Sequence, residues 1–257
     1  MKEKIYTIPV TDAFRNDCEC PLCVLEKKLE DDYIEYMLGP SLMEPDCRMI
    51  TNEKGFCRRH FEQLYNKQLN RLGLGLIIDT HMQEQIKKLR EAYEKKAQLI
   101  KKEMGLSLIK NISNKVANKA SEAEKFAHEL AASLSTLERS CAVCSKLEYT
   151  MDRYIDVTIY LWFKEEEFKK LFTNKGFCLM HFKMLLEGAV KYISGKDRAV
   201  FIEALINLQL SNLERIQEEV AWFTKKFDYR YNDAPWGNSR DALPRSIEKL
   251  AGYCNLK

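Results

Sequence analysis

One pattern of cysteine and histidine residues occurs twice in this chain of 257 residues. Each copy consists of a Cys-x-x-Cys pair, 33 intervening residues and a Cys-x-x-His pair, and the second copy follows the first at a constant offset of 121 residues. In a scrambled chain of this composition, such a coincidence would arise with a probability on the order of 10⁻⁴. We therefore predict an internal duplication with one metal site per copy. The ligands of the first copy are Cys20, Cys23, Cys57 and His60, and those of the second are Cys141, Cys144, Cys178 and His181.

This residue set favours zinc. Two residues between ligands let both side chains of a pair reach one ion, either in a turn that enters a helix or on one helical face. Three thiolates and one imidazole complete a tetrahedral zinc shell and leave no position for water or substrate. The sequence thus predicts two structural zinc ions. An iron–sulfur or metal-handling protein that uses the same ligands is the alternative, because sulfur-rich sites also accept iron.

The composition indicates an all-α fold. Glycine and proline together contribute only 16 residues, which are few turn-forming residues for a turn-rich β protein. Apolar residues at helical spacing predict three helices in each half. The first helix of the first half should end near Gly39, and the second near Gly73 and Gly75. Gly55 and Gly176, just before the Cys-x-x-His pairs, should free the backbone ahead of a helix start.

The offset divides the chain into four segments. We predict a first metal-binding repeat over 1–112, a connecting helix over 113–137, a second repeat over 138–226, and a C-terminal strap with a short helix over 227–257. The two halves should therefore be pseudo-equivalent helical bundles. Long apolar stripes in the third helices are typical of an intramolecular core, and a homodimer seam is the alternative.

Charge and hydropathy exclude several classes of protein. The formal net charge is only +3, and basic residues are interleaved with acidic ones, so we expect no nucleic-acid surface. The sequence contains no apolar run long enough for a membrane span and no apolar stretch near residue 1 that is typical of a signal peptide. We therefore expect a cytoplasmic protein, in which nine cysteines indicate metal ligation rather than disulfides.

Three cysteines lie outside the repeated pattern. Cys47 and Cys254 have no counterpart at the offset, and we interpret both as thiols without a specific role. Cys18 lies two residues before Cys20, so it could replace a ligand, take part in metal exchange or simply occupy the turn. His81 and His128 lack a partnering cysteine and are interpreted as surface or packing residues.

The tail leaves an enzymatic alternative open. Arg230, Asp233 and Trp236 combine charged and aromatic groups that could line an anion or nucleotide pocket between the halves. A strap that closes a helical bundle is the more conservative interpretation. A thioredoxin-like role for CAVC or CPLC would need a βαβ context, which the sequence does not show. The leading hypothesis is a non-enzymatic interaction or scaffold protein with an unknown protein partner.

The motifs CPLC, GFCRRH, CAVC and GFCLMH, together with the terminal segment KFDYRYNDAPWGNSRDALPRSIEKLAG, resemble an uncharacterised bacterial family of about this length, a domain of unknown function. The resemblance extends over nearly the whole chain. It implies a helical protein and supplies neither a substrate nor catalytic residues.

Overall fold

The computed structural model of the chain describes residues 4–104, 120–174 and 176–256. These residues form eleven α-helices and no β-strand, which confirms the predicted all-α class. None of the described helices is long and apolar enough to cross a membrane. The helices, in chain order, are α1 (Thr7–Arg15), α2 (Pro21–Leu38), α3 (Pro45–Lys54), α4 (Arg58–Lys67), α5 (Arg71–Met104), α6 (Glu122–Glu138), α7 (Ala142–Lys164), α8 (Glu166–Thr173), α9 (Leu179–Tyr192), α10 (Gly195–Lys225) and α11 (Ala242–Ala251).

The chain divides into two compact units. Unit 1 combines Met1–Glu30 with Leu147–Lys257, and unit 2 is the continuous segment Asp31–Lys146. These boundaries fall inside α2 and α7, so they differ from those of the predicted repeats. The predicted boundary at 112, and the start of the connecting helix at 113, lie outside the described residues. The part of that segment that the structure describes contains α6.

Unit 1 is built around an aromatic core. The Phe14 ring of α1 lies 4.8 Å from that of Phe168 in α8, and the Phe172 ring lies 5.2 Å from that of Phe177 just before α9. All four side chains are at most 1% exposed. Burial of such rings removes about 150–250 Å² of surface each, so this core holds the start of α9 in place.

Unit 2 places α3 against α5. Gly55 ends α3 with a φ of 58°, a backbone conformation that disfavours residues with a side chain. A Cβ there would also lie 2.6 Å from the His81 ring, whose Nδ1 is 2.8 Å from the carbonyl oxygen of Asn52. His81 is thus a packing residue, as predicted, and Gly55 does free the backbone ahead of α4. Gly176 instead permits a close approach, since a Cβ would lie 2.5 Å from Lys249 Nζ.

Helix ends agree with the sequence at some glycines and not at others. The helix α2 ends at Leu38, next to Gly39 as predicted. The end predicted near Gly73 is wrong, because α4 already stops at Lys67, where Gln68 adopts a left-handed conformation. Gly73 lies inside α5, where a Cβ would come within 2.5 Å of Leu42 Cδ1. Its role is therefore close packing.

The strap after α10 is fastened by a buried lysine. Lys226 Nζ donates to the carbonyl oxygens of Tyr231, Asn232 and Ala234 at 2.5, 2.8 and 2.6 Å. The same side chain is only 5% exposed. Three backbone acceptors compensate the desolvation of the ammonium group and hold the strap in a compact turn. The short helix predicted after the strap is α11.

Candidate metal centres

The first cluster of potential metal ligands, which we call cluster 1, lies in unit 1 and consists of Cys20, Cys23, Cys178 and His181. His181 Nδ1 lies 3.5 Å from Cys20 Sγ, 3.3 Å from Cys23 Sγ and 3.1 Å from Cys178 Sγ. The Sγ atoms of Cys23 and Cys178 are 3.6 Å apart. All four side chains are buried.

The second cluster, cluster 2, lies in unit 2 and consists of Cys57, His60, Cys141 and Cys144. His60 Nδ1 lies 3.2 Å from Cys57 Sγ and from Cys141 Sγ, and 3.3 Å from Cys144 Sγ. The Sγ atoms of Cys57 and Cys144 are 3.8 Å apart. His60 and Cys141 are buried, whereas Cys57 and Cys144 are half-buried.

The two clusters contain all eight predicted ligand residues, but the predicted pairing within each half is wrong. The CPLC pair of the first half meets the Cys-x-x-His pair of the second half in cluster 1, and CAVC meets the Cys-x-x-His pair of the first half in cluster 2. Each cluster is complete within one compact unit. The Cys-x-x-Cys pair of each half therefore lies beside the Cys-x-x-His pair of the other half.

Each pair stands at the start of a helix. Cys20 immediately precedes α2 and Cys141 precedes α7, while Cys57 and Cys178 are the N-cap residues of α4 and α9. The backbone N–H of His181 donates to Cys178 Sγ at 3.4 Å, and that of Cys144 donates to Cys141 Sγ at the same distance. Unpaired N–H groups and the positive end of the helix dipole stabilise thiolate at these positions.

The distances fit a single tetrahedral ion in each cluster. With Zn–S bonds of about 2.3 Å and a Zn–N bond of about 2.0 Å, tetrahedral zinc places sulfur atoms about 3.8 Å apart and nitrogen about 3.5 Å from each sulfur. One sulfur pair in each cluster lies at 3.6 or 3.8 Å, and all ligand atoms of a cluster lie within 4.8 Å of one another. Both clusters could thus hold a metal ion.

Within each cluster, the ligand groups shift one another's pKa values. Burial would lower the pKa of His181, but hydrogen bonds to Cys178 and Cys20 raise it to about 10. Hydrogen bonds with Cys20 and Cys23 hold the pKa of the Cys178 thiol far below its usual range. In cluster 2, burial alone would raise the pKa of Cys141, but hydrogen bonds with His60 and a backbone N–H lower it to about 6. One cysteine in each cluster is thus favoured as thiolate, the form that binds metal. Hydrogen bonds with Cys178 and Cys20 raise the pKa of Cys23, and burial raises the pKa of Cys144.

Glu26 was not identified from the sequence, although it lies one helical turn after Cys23. Its Oε2 is 3.4 Å from Nε2 of His181, the ring nitrogen that faces away from the sulfur atoms. This buried nitrogen makes no hydrogen bond within the described residues, and Glu26 is the carboxylate that lies within reach of it. When Nδ1 binds an ion, the neutral ring carries its proton on Nε2 and needs an acceptor there. The i, i+3 spacing from a ligand on one helix face is the signal that would have indicated this residue.

We expect Glu26→Leu to weaken metal binding at cluster 1 by about 10- to 100-fold, because the ring loses its orienting carboxylate. Leucine is chosen because Leu147 occupies the position 121 residues later. A competition titration with a chromophoric chelator should show one ion per chain shifted to lower affinity while the other is unchanged. Glu26→Gln, which keeps an acceptor oxygen, should lose less. Equal shifts of both ions would contradict this role.

A network of charged residues fixes the start of α2. Glu19, just before Cys20, accepts from Arg215 of α10 at 2.6 Å and from Arg245 of α11 at 3.1 Å. The buried Lys249 Nζ lies 3.1 Å from the carboxylate and donates to the Glu19 carbonyl oxygen at 2.7 Å. Burial would raise the pKa of Glu19, but Arg215 and Lys249 outweigh it and lower the pKa. The tail therefore supports cluster 1 through α11.

The structure places the three tail residues predicted for a ligand pocket in separate local environments, and the pocket itself stays a prediction. Arg230 pairs with Asp228 at 2.6 Å, Asp233 is exposed, and Trp236 packs on Phe223 with ring centroids 5.9 Å apart. The strap region does border a polar cleft of about 610 Å³ within unit 1. Glu19, Arg215 and Arg245, which line this cleft, belong to the Glu19 network. The strap and α11 line this cleft with Gly237, Asn238, Asp241 and Arg245.

The remaining cysteines lie outside both clusters. Cys18 donates to the carbonyl oxygen of Asn16 at 3.7 Å, and Cys254 to that of Gly252 at 3.4 Å. Cys47 Sγ lies 3.1 Å from the hydroxyl oxygen of Tyr36. None of the three supplies an atom to either group of potential ligands. The assignment of Cys47 and Cys254 as thiols without a specific role stays a prediction, and so do the alternatives for Cys18.

Comparison with known proteins finds one family. The family described as "Family of unknown function (DUF6062)" matches residues 1–257. The chain belongs to this family. The predicted resemblance to an uncharacterised family is thereby confirmed. No curated protein and no solved structure matches the chain.

Proposed function

We propose that this DUF6062 protein binds two zinc ions, one in each cluster, and that it acts as a non-enzymatic interaction or scaffold protein. The observation that carries the proposal is the convergence of three sulfur atoms and one imidazole nitrogen within 4.8 Å, found in both clusters. All nine cysteines are free thiols, which supports a reducing compartment such as the cytoplasm.

The compactness of the clusters supports single ions rather than iron–sulfur clusters. In an iron–sulfur cluster the protein ligands are shared among two or more irons, so sulfur atoms on different irons lie farther apart than those on one ion. Here all four donor atoms fit around one centre in each unit. A set of three thiolates and one imidazole is also a common structural zinc shell.

A closed shell supports a structural role for both ions. Four protein ligands leave no open coordination position at which water or a substrate could be activated. The ligands tie α2 to α9 in unit 1 and α4 to α7 in unit 2, so each ion would join two helix starts that are distant in sequence. In this role the zinc ions replace part of the core that would otherwise hold these helices together.

Anaerobic purification followed by elemental analysis and an absorption spectrum tests the proposal. We expect about two zinc ions per chain, no inorganic sulfide and no visible absorption. Replacement of zinc by cobalt should produce the visible bands of tetrahedral cobalt–thiolate coordination. Iron with stoichiometric inorganic sulfide would contradict the zinc assignment. Turnover of a small molecule by the pure protein would contradict the non-enzymatic role.

A further inference from the structure

The distal part of α5 and the helix α6 form a two-helix hairpin in unit 2, which we define as residues 78–104 and Glu122–Glu138. The two helices are in contact along their length: the rings of Tyr93 and Phe126 lie 6.4 Å apart, and Lys96 Nζ is 3.6 Å from a Glu129 carboxylate oxygen. Glu103 accepts from the first backbone N–H groups of α6 and so joins the end of one helix to the start of the other.

The hairpin lacks a core of its own. None of its residues is buried in the part of the chain that the structure describes. Leu89 and Leu134 line a groove between the helices and remain open to solvent, with 41% and 47% of their surface exposed. Tyr93 of the same hairpin is 46% exposed. Isolated helices gain little stability in water, so a hairpin of this length needs a surface that covers its apolar face.

The two helices carry opposite net charge. Residues 78–104 contain seven lysine or arginine residues against five aspartate or glutamate residues, whereas α6 contains four glutamates and one lysine. On the groove rim, Lys88, Lys95 and Lys96 belong to α5 and Glu129 belongs to α6. A second copy related by a two-fold axis can set its acidic α6 against the basic α5 of the first. Such self-complementarity is what a two-fold interface requires.

The available area suits a dimer. The length shared by the helices is about 25 Å at 1.5 Å per residue, and two helices side by side are about 20 Å wide. Their common face therefore offers about 500 Å² per copy, or about 1,000 Å² in total, the lower limit for a specific interface. We propose that this protein is a homodimer in which the α5–α6 hairpins of two copies pack into a four-helix bundle. This inference goes beyond the proposed function and does not depend on the metal clusters.

Sedimentation equilibrium of the full-length protein tests the proposal. We expect a mass twice the 30.1 kDa of the chain at micromolar concentration. Leu89→Glu combined with Leu134→Glu should give a monomer, because the dimer interface would then have to bury the unpaired carboxylates of both glutamates from each copy. Leu210→Glu is the matched control: Leu210 is 52% exposed on α10 in unit 1, so this variant should remain a dimer. Metal content measured on each variant verifies that both clusters remain folded.

Charge-reversal substitutions test the electrostatic complementarity of the two hairpins separately. Lys88→Glu with Lys95→Glu should raise the dimer dissociation constant at least about tenfold, and adding Glu129→Lys should recover part of the loss. A wild-type protein that stays monomeric at all concentrations would overturn the proposal. So would a dimer that persists in the Leu89→Glu, Leu134→Glu variant with its metal content intact.

Discussion

Replacing Cys178 by serine should reduce the metal content from two ions to one per chain and lower the free energy of unfolding of unit 1 by at least about 3 kcal/mol. Cys178 Sγ is fully buried and lies 3.1 Å from His181 Nδ1 and 3.6 Å from Cys23 Sγ. Serine retains an oxygen that can accept the hydrogen bond from the N–H of His181 at the start of α9, so the substitution removes a metal ligand and keeps the helix cap. Elemental analysis and denaturant titration measure the two effects.

Cys18→Ser is the matched control for this substitution. Cys18 lies close to cluster 1 in sequence but is not among the potential ligands, and its thiol donates a long hydrogen bond to the Asn16 carbonyl oxygen. The variant should keep both ions and change stability by less than about 0.5 kcal/mol. If Cys18→Ser lost an ion, or if Cys178→Ser kept two, the assignment of cluster 1 would be incorrect.

The second large effect should follow Glu19→Gln, which we expect to destabilise the protein by about 3 kcal/mol. The substitution removes the carboxylate that pairs with the buried Lys249. Arg215 and Arg245 lose the same partner but still pair with Glu219. The Lys249 side chain is only 1% exposed, so its charge keeps little hydration to compensate the loss. Denaturant titration of the zinc-loaded protein measures the change. Because Glu19 positions the start of α2, the affinity of cluster 1 should fall as well.

Glu187→Gln provides a comparison on the surface of the same unit. Glu187 pairs with Lys183 at 3.5 Å, and both side chains are more than 60% exposed. Exposed pairs of this kind contribute about 0–1 kcal/mol, so this variant should unfold almost like the wild type. Similar losses for Glu19→Gln and Glu187→Gln would show that the Glu19 network does not support unit 1.

Part of the fold follows from local sequence and part does not. The long apolar periodicity of α5 and α10 and the stop before Gly39 were visible because they depend on neighbouring residues. The helices α3 and α8 are additional to the three helices predicted in each half, and they are ten and eight residues long. The sequence of α3 is largely polar and therefore gives no apolar pattern from which a helix could be predicted. The helix packs against α5 in the structure. Short helices of this kind depend on tertiary packing more than on their own pattern.

The sequence identified the ligand residues but not their pairing. The two side chains of each Cys-x-x-Cys or Cys-x-x-His pair can reach one ion because they are close in sequence. This local geometry is the same whichever second pair completes the coordination shell. The loop between Cys23 and Cys178 is longer than the 33 residues between Cys23 and Cys57, but loop-closure entropy changes slowly with length, by about 1.4 kcal/mol here. That difference is small beside the packing of α1, α8 and α9 around the aromatic core. Packing therefore decides which pairs meet.

The supporting contacts of cluster 1 depend on residues that are remote in sequence. Glu19 meets Arg215, Arg245 and Lys249 only after α10 and α11 have packed, and no spacing rule connects such positions. In the tail, the contacts with Glu19 come from Arg245 and Lys249 of α11.

Metal counting in two double variants tests the exchanged pairing most directly. Cys23→Ser with His181→Asn removes two ligands of cluster 1, so we expect one ion per chain to remain. Cys23→Ser with His60→Asn removes one ligand from each cluster, so we expect essentially no tightly bound ion. The opposite outcome, with one ion retained in the second variant and none in the first, would show that each half binds its own ion and would contradict the account.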